Sequence, residues 1–115
     1  MNSKFEVLFL EEVRKFLLEQ DEKTKAKILY NIDKSKILND PKLFKKLTDH
    51  IWEFRTKYNG LQYRLLAFWD KTERIETLVV STHGFVKKVD KVSSTEINKA
   101  DQLRLLYFDQ KKREK

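Results

Sequence analysis

The chain has 115 residues, of which 40% are hydrophobic and 12% aromatic, and this length and composition suit one globular domain with a real core over residues 1–115. Lysine and arginine outnumber aspartate and glutamate by 25 to 18, and the net charge of +7 favours anionic partners such as nucleic acid. The absence of cysteine excludes disulfides, thiolate zinc sites and cysteine nucleophiles. No apolar run approaches the ~18 residues of a membrane span, so we expect a cytoplasmic protein with no membrane partner.

The first half of the chain predicts a short strand followed by two amphipathic helices. Residues 4–8 favour a strand, and residues 10–20 carry apolar side chains at helical spacing. A second helix is predicted for residues 22–38, because its pattern continues until the turn that contains Pro41. Residues 43–47 are too short to assign and are left undecided between a helical turn and a strand.

A β-hairpin is predicted around Asn59-Gly60, because a two-residue type I′ turn needs positive φ at both central positions. The strands that flank this turn cover residues 51–58 and 61–70. With a two-residue loop, Arg55 lies directly opposite Arg64. Side chains alternate along a strand, so one face of the hairpin is apolar and the other holds Glu53, Arg55, Lys57, Gln62 and Arg64.

The pairing of Arg55 with Arg64 needs an explanation, because like charges directly opposed on a sheet are destabilising. One interpretation is a pair of guanidinium groups that grips phosphate, for which planar and permanently charged arginine is well suited. The other is two solvated surface arginines that share Glu53. The hairpin alone does not choose between the two.

The second half of the chain predicts another strand and a C-terminal helix. Residues 70–74 favour a turn, residues 75–82 a strand buried on both faces, and Ser93 with Glu96 a capping box that begins a helix. The basic tail, residues 109–115, is expected to be frayed and solvated, with contact to RNA as the alternative. The predicted fold is α+β, with helices packed on an antiparallel sheet.

The segment that closes the last predicted strand carries several groups able to do chemistry. His83 has a side chain that titrates near neutral pH, although a lone histidine beside a buried strand is more often structural. Phe85 is either a base-stacking group or a core residue. Lys87 and Lys88 point to opposite faces if the strand continues, and Lys87 is preferred for the site. The remaining histidine, His50, lies 33 positions from His83, and this gives little case for a metal or any other cofactor.

Taken in order, these motifs resemble the RelE/ParE superfamily of bacterial toxins, in particular its phage-associated HigB-like branch. The resemblance runs from Trp52 to Ala100 and includes the E-F-R strand, the N-G turn, Y-R in the next strand, H-G-F-x-K-K and E-I-x-x-A. It implies two N-terminal helices packed on a curved antiparallel sheet of three to four strands, with a C-terminal helix. It also implies an endoribonuclease that cuts messenger RNA on the ribosome and is silenced by a partner antitoxin, expected to be a small helix-turn-helix protein.

Such cleavage needs a group that takes the proton of the 2′-hydroxyl, positive charge around the phosphorane, and a proton for the departing 5′-oxygen. No metal is required in principle. We expect four residues to be catalytic, namely Arg55, Arg64, Lys87 and His83, and four to bind RNA, namely Lys57, Gln62, Phe85 and Lys88. Of these, Arg64 in the Y-R element is carried over from the resemblance. The general acid and base stay unassigned.

Two other functions fit the same sequence. The first is a binding module without catalysis, which holds RNA or blocks gyrase as ParE-like toxins are thought to do. The second is a structural or phage-assembly protein with a basic surface.

Overall fold

A computed structural model describes residues 3–72 and 77–114 of the chain. Across these two ranges the chain forms five strands and three helices, in the order β1 (Glu6–Phe9), α1 (Glu11–Leu18), α2 (Glu22–Ile37), β2 (Phe44–Lys46), β3 (Trp52–Tyr58), β4 (Leu61–Asp70), β5 (Leu78–Lys87) and α3 (Ser94–Arg113). The α+β class and the C-terminal helix are as predicted. The predicted turn at 70–74 and the start of the predicted strand at 75–82 fall partly on residues 73–76, which lie outside the described residues.

The strands form one sheet with the order β1-β5-β4-β3-β2. Strands β2 to β5 pair antiparallel, whereas β1 pairs parallel with β5. The sheet is therefore mixed and, in the described ranges, has five strands instead of the three to four antiparallel strands that were expected. The extra strand is β2, which lies in the segment left undecided by the sequence and pairs with β3 at the sheet edge.

The hairpin has the predicted turn and register. Asn59 and Gly60 have φ values of 53° and 79°, as a type I′ turn requires. Tyr58 pairs with Leu61 next to the turn, and counting back along both strands brings the two arginines of the hairpin opposite each other.

Helices pack on both faces of the sheet, but they cover only part of the second face. Helices α1 and α2 pack on the face that carries Phe54 and Tyr63, and Asn31 of α2 donates a hydrogen bond to Thr56 across this layer. Helix α3 packs on the opposite face over a second core that includes Leu66, Phe68, Val80 and Ala100. The face predicted to be charged is therefore apolar beneath α3 and charged at the hairpin end, which α3 leaves uncovered.

The glycine of the H-G-F motif is explained by a close contact between α1 and β5. A Cβ atom at Gly84 would lie 2.5 Å from Cδ2 of Phe16, a separation that real Cβ atoms do not tolerate. The aromatic ring of α1 thus rests on bare backbone, and this contact fixes the distance between the helix and the strand.

A β-bulge in β5 decides which side chains reach the charged face. Ala67 pairs with Ser81, but Leu66, the residue before Ala67 in β4, pairs with His83. Thr82 is therefore an extra residue in β5. Before the bulge, even-numbered side chains of β5 share the face of α3; after it, odd-numbered side chains do. Because of this one-residue shift, Lys87 lies on the same face as the arginines, where simple alternation from Val80 places Lys88.

Helix α3 is fixed to the sheet by polar contacts near both of its ends. At its start, Ser93 caps the helix by accepting a hydrogen bond from the backbone N–H of Glu96 at 3.3 Å, as predicted, and Oε1 of Glu96 lies 3.3 Å from Nε2 of His83 in β5. Near its end, Tyr107 and Lys111 donate hydrogen bonds of 2.6 and 2.7 Å to Oδ2 of the buried Asp70.

These contacts explain a difference from the sequence prediction at the C-terminus. The tail was expected to be frayed, but residues 109–113 continue α3, whose last described turns are held by the ion pair between Lys111 and Asp70. Within the two described ranges, the helices are too short or too polar for any of them to cross a membrane.

Candidate anion-binding site

The site lies at the hairpin end of the sheet, on the face that α3 leaves open. Register places Arg55 of β3 directly opposite Arg64 of β4, with Glu53 two residues before Arg55 on the same face. Gln62 and Lys87 are paired across β4 and β5, so Lys87 joins this face from the third strand. The sheet thus brings side chains from three neighbouring strands to one place.

Arg64 is held rigidly in the wall of the site, with an exposed fraction of 2%. Its Nε lies 2.9 Å from Oε1 of Glu53. Its Nη2 donates a hydrogen bond of 2.6 Å to Oε1 of Gln62, and its Nη1 donates one of 3.1 Å to the carbonyl of Tyr63. Burial lowers the pKa of Arg64, an effect that Glu53 opposes and Arg55 reinforces. A guanidinium nevertheless stays charged in proteins, so Arg64 supplies a fixed positive charge.

Arg55 is more accessible and links the hairpin to the turn before β2. Its Nη1 donates a hydrogen bond of 3.2 Å to the carbonyl of Pro41, and its Nε lies 3.9 Å from Oε2 of Glu53. Lys42 follows in the same turn, which is shaped by a 2.9 Å hydrogen bond from the Lys42 N–H to Asp40. Anchoring the arginine to this turn therefore also brings a lysine to the site.

The side chains around the two arginines enclose an open cavity of about 340 Å³, lined by Lys42, Arg55, Lys57, Gln62 and Arg64. Its size falls in the range of ~300–1,000 Å³ that is typical of ligand sites. We name this site the arginine cavity. Its lining carries four cationic side chains and a neutral amide, and Glu53 stands behind the guanidinium groups as their counterion. The balance of charge at the cavity is positive, so the ligand that it favours is an anion.

Three buried atoms of this cluster have unused hydrogen-bonding capacity. Among the residues that the structure describes, Nε of Arg55, Nε of Arg64 and Oε1 of Glu53 have no hydrogen-bond partner. The contact between Arg64 and Glu53 is short enough for an ion pair, but it is too bent for a hydrogen bond. Buried polar atoms without partners are rare and costly, and the two nitrogen donors among these atoms belong to the guanidinium groups at the cavity.

Lys87 lies beside the arginine cavity, and the charges there affect its pKa. Burial lowers the pKa of Lys87, and the positive charges of Arg64 and Arg55 lower it further, against an opposing effect of Glu53. Its ammonium group donates a hydrogen bond of 3.1 Å to the carbonyl of Asp90, just past the end of β5. A lysine with a lowered pKa gives up its proton more readily than a solvated one.

The structure brings together some of the predicted site residues and separates others. Arg55, Lys57, Gln62 and Arg64 line the arginine cavity, and Lys87 stands next to it. The lining residue missed by the sequence analysis is Lys42. Its only signal was the Asn-Asp-Pro turn that precedes it.

His83 and Phe85 are directed under α3. His83 is buried, with Nε2 lying 3.3 Å from Oε1 of Glu96 and Nδ1 lying 3.1 Å from Oγ1 of Thr82. Burial lowers the pKa of His83, although Glu96 opposes the shift. Phe85 stacks on the His83 ring with centroids 5.8 Å apart and packs against the core beneath α3. Both side chains join the sheet to the helix, and neither lines the arginine cavity.

Lys88 follows the end of β5 and is exposed. In the described part of the chain, no three histidine, aspartate or glutamate side chains stand close enough to share a metal ion. The groups that the arginine cavity offers are guanidinium groups, ammonium groups, one amide and, behind the arginines, one carboxylate.

The fold and the cavity define a small basic α+β domain whose sheet offers paired arginines to an anion. The family model described as "Phage derived protein Gp49-like (DUF891)" matches residues 15–105, and the chain belongs to this family. The family is RelE-like and toxin-like, which agrees with the resemblance at the level of the superfamily. No curated protein matches the chain.

Proposed function

We propose that this protein is the toxin of a type II toxin–antitoxin system, a HigB-like endoribonuclease that cuts messenger RNA on the ribosome in the cytoplasm. The observation that carries the proposal is the arginine cavity, where Arg55 and Arg64 converge from two paired strands. Membership of a toxin-like family supports the proposal independently of that geometry.

In the proposed reaction the scissile phosphate enters the arginine cavity. Arg55 contacts its oxygens from the accessible side, and Arg64 provides a preorganised charge from the wall. The negative charge on the phosphate grows as the 2′-oxygen attacks, so fixed guanidinium groups stabilise the transition state more than the substrate. Loss of one such donor typically slows a reaction by about 100-fold to 1,000-fold.

Glu53 has the role of a counterion in this scheme. It lies between the two arginines, with an exposed fraction of 4%, and keeps their positive charges at a close distance despite the repulsion across the strand pair. It thus acts as a positioning residue and makes no contact with the substrate. Lys57 and Lys42 hold the flanking phosphates at the rim of the cavity.

Lys87 is the proposed general acid, which donates a proton to the departing 5′-oxygen. Its lowered pKa favours this transfer, and its position on the same face as the arginines supports the assignment. The residue that accepts the 2′-hydroxyl proton is not assigned, and His83 is left out of the scheme because it is buried beneath α3.

The experiment is inducible expression in a bacterial host, with growth and transcript 5′ ends measured together. We expect the wild type to arrest growth and cut transcripts, and Arg64→Ala and Arg55→Ala to do neither. Arg64 is buried, so Arg55→Ala keeps the test valid if Arg64→Ala fails to fold. The matched control is Lys34→Ala, an exposed position on α2, the helix that packs on the opposite face of the sheet. Growth arrest with intact transcripts would reject the nuclease.

The role of Lys87 has a separate test. Lys87→Arg keeps the charge but holds its proton too tightly, so we expect RNA to bind normally and to be cut slowly. In the wild type, activity should fall as the pH rises through the lowered pKa of Lys87, and this alkaline limb should be absent in the variant. An unchanged alkaline limb in Lys87→Arg would rule out the proton transfer.

A second candidate function is inhibition by binding alone, with RNA or gyrase as the target. It is favoured by the contacts of Arg64, whose guanidinium is already engaged by Glu53, Gln62 and Tyr63. Growth arrest that depends on Arg55 but leaves transcripts whole would support this function. In either case the proposed partner is an antitoxin, expected to be a small helix-turn-helix protein encoded next to this chain.

A further inference from the structure

A second groove lies at the other end of the hairpin strands, where β3 begins and β4 ends. It has a volume of about 440 Å³, and its lining includes Lys46, His50, Trp52, Trp69, Lys71 and Arg104. We name it the tryptophan groove. Among the described residues, it shares no lining residue with the arginine cavity. Trp69 lies five positions along β4 from Arg64, which corresponds to roughly 17 Å at about 3.3 Å per residue.

The two tryptophan rings of the groove are held in place by other aromatic side chains. Trp52 stacks on Phe44 with centroids 4.9 Å apart, and Trp69 meets Trp52 edge to face at 5.5 Å and 80°. Both rings are half-buried, so each still offers part of its surface to the groove. Rings that are already fixed lose little conformational entropy when a flat ligand packs on them.

One ring carries a cation in the free protein. The ammonium group of Lys71 lies over the Trp69 ring, 5.4 Å from its centroid. A cation–π contact at an exposed position is weak and is easily exchanged for a stacked base. If a base took the place of Lys71 on the ring, the freed ammonium group would be available to the phosphate of the same nucleotide.

The tryptophan rings, more than the charges of the groove, favour a nucleotide over a carboxylate-rich peptide. Its cationic side chains are Lys46, Lys71 and Arg104, against Asp49 in the lining and Asp101, which pairs with Arg104 at 2.9 Å. The excess of positive charge is small, so charge alone does not select a ligand. An acidic peptide supplies negative charge but no flat ring for the tryptophans, whereas single-stranded RNA supplies a base and a phosphate together.

We propose that the tryptophan groove is a second RNA-binding site, in which a base of single-stranded RNA stacks on Trp69 and the neighbouring phosphate contacts Lys71 and Lys46. The proposal goes beyond the function proposed above. It does not require the arginine cavity to cut RNA, and it adds a contact some distance along the strand from the cavity.

The tryptophans themselves report on this groove. The chain has two tryptophans, and both line the groove, so intrinsic tryptophan fluorescence measures its occupancy directly. We expect AMP to quench this emission in a saturable manner, and ribose 5-phosphate, which has no base, to leave it unchanged. A fluorescein-labelled 2′-O-methyl decaribonucleotide, which cannot be cut by 2′-hydroxyl attack, should quench at lower concentration than AMP.

The decisive comparison is between two double variants with the same loss of charge. Lys46→Ala/Lys71→Ala removes two groove lysines, and Lys23→Ala/Lys34→Ala removes two exposed lysines of α2 outside it. The groove variant should bind the labelled RNA about tenfold more weakly, and its log–log salt slope should fall by about 0.7, the value for the one phosphate that the protein no longer neutralises. The control should keep the wild-type slope.

Three results would overturn the proposal. They are the absence of saturable quenching by AMP and RNA, equal loss of RNA affinity in both double variants, and binding of an aspartate-rich peptide to the groove in place of AMP. Arg55→Ala separates this proposal from the proposed function, because that variant should lose transcript cleavage and keep the fluorescence quenching.

Discussion

Replacement of Glu53 by glutamine is predicted to lower the free energy of unfolding and to raise the affinity of the arginine cavity for anions. Glutamine has the same shape, but it removes the negative charge that lies 2.9 Å from Nε of Arg64. Arg64 is 2% exposed, so its charge would be left buried opposite Arg55 without a counterion. Removing one partner of a buried ion pair costs about 3–5 kcal/mol, and because the amide oxygen still presents a partial negative charge to the guanidinium, we expect about 2–4 kcal/mol.

The assay is thermal unfolding in the absence and presence of phosphate. At ~4 °C per kcal/mol for a domain of this size, the expected loss lowers the midpoint of Glu53→Gln by roughly 8–16 °C. Phosphate then replaces the missing carboxylate. For a dissociation constant of ~1 mM, 10 mM phosphate restores about 1.4 kcal/mol to the variant, and we expect a smaller gain for the wild type.

Two further variants keep this result interpretable. Asp33→Asn removes a carboxylate that is 73% exposed and paired with Lys36, and it should cost less than about 0.5 kcal/mol. Glu53→Gln/Arg64→Met removes both buried charges and should be more stable than Glu53→Gln alone. The reasoning is refuted if Glu53→Gln is as stable as the wild type, or if phosphate stabilises both proteins equally.

Two other predictions concern the contacts that hold the helices on the sheet. Gly84→Ala places a methyl group 2.5 Å from Phe16 and should lower the free energy of unfolding by about 1–3 kcal/mol, as measured by denaturant titration. The double variant Gly84→Ala/Phe16→Leu should recover part of this loss. No loss of stability in the single variant would contradict the close contact. Burial alone would raise the pKa of Asp70, but hydrogen bonds from Lys111, Thr72 and Tyr107 outweigh burial and hold this pKa below 3.8. The contribution of Asp70 to stability is therefore present above about pH 4 and is lost as the pH falls further. Acid unfolding should therefore be less steep in Lys111→Met than in the wild type, whereas the exposed control Lys112→Met should follow the wild type, and equal slopes in all three would contradict the network.

The hairpin and its arginine pair could be predicted because their signals are local. A type I′ turn at Asn59-Gly60 fixes the register of two strands, and the register alone places Arg55 opposite Arg64. The same logic gave the helices α1 and α2, whose apolar spacing reflects the face that they bury. Membership of a toxin-like family agrees with the resemblance that the ordered motifs gave.

The parts that the sequence did not reveal depend on contacts between distant residues. The bulge at Thr82 reverses the alternation of β5 and selects Lys87 over Lys88 for the site, yet nothing in the local sequence marks it. The burial of His83 depends on where α3 begins, which brings Glu96 to the ring. Lys42 reaches the arginine cavity through a turn that is fixed by a side chain of another strand.

The most direct test of the central claim is an NMR titration of the arginine Nε–Hε signals with inorganic phosphate. If the paired arginines form an anion site, the signals of Arg55 and Arg64 should shift together and give the same dissociation constant. The signal of Arg14, an exposed residue of α1, should move little over the same range. Shifts at Arg14 with none at Arg55 and Arg64 would contradict the claim that the hairpin arginines form a site for the phosphate of RNA.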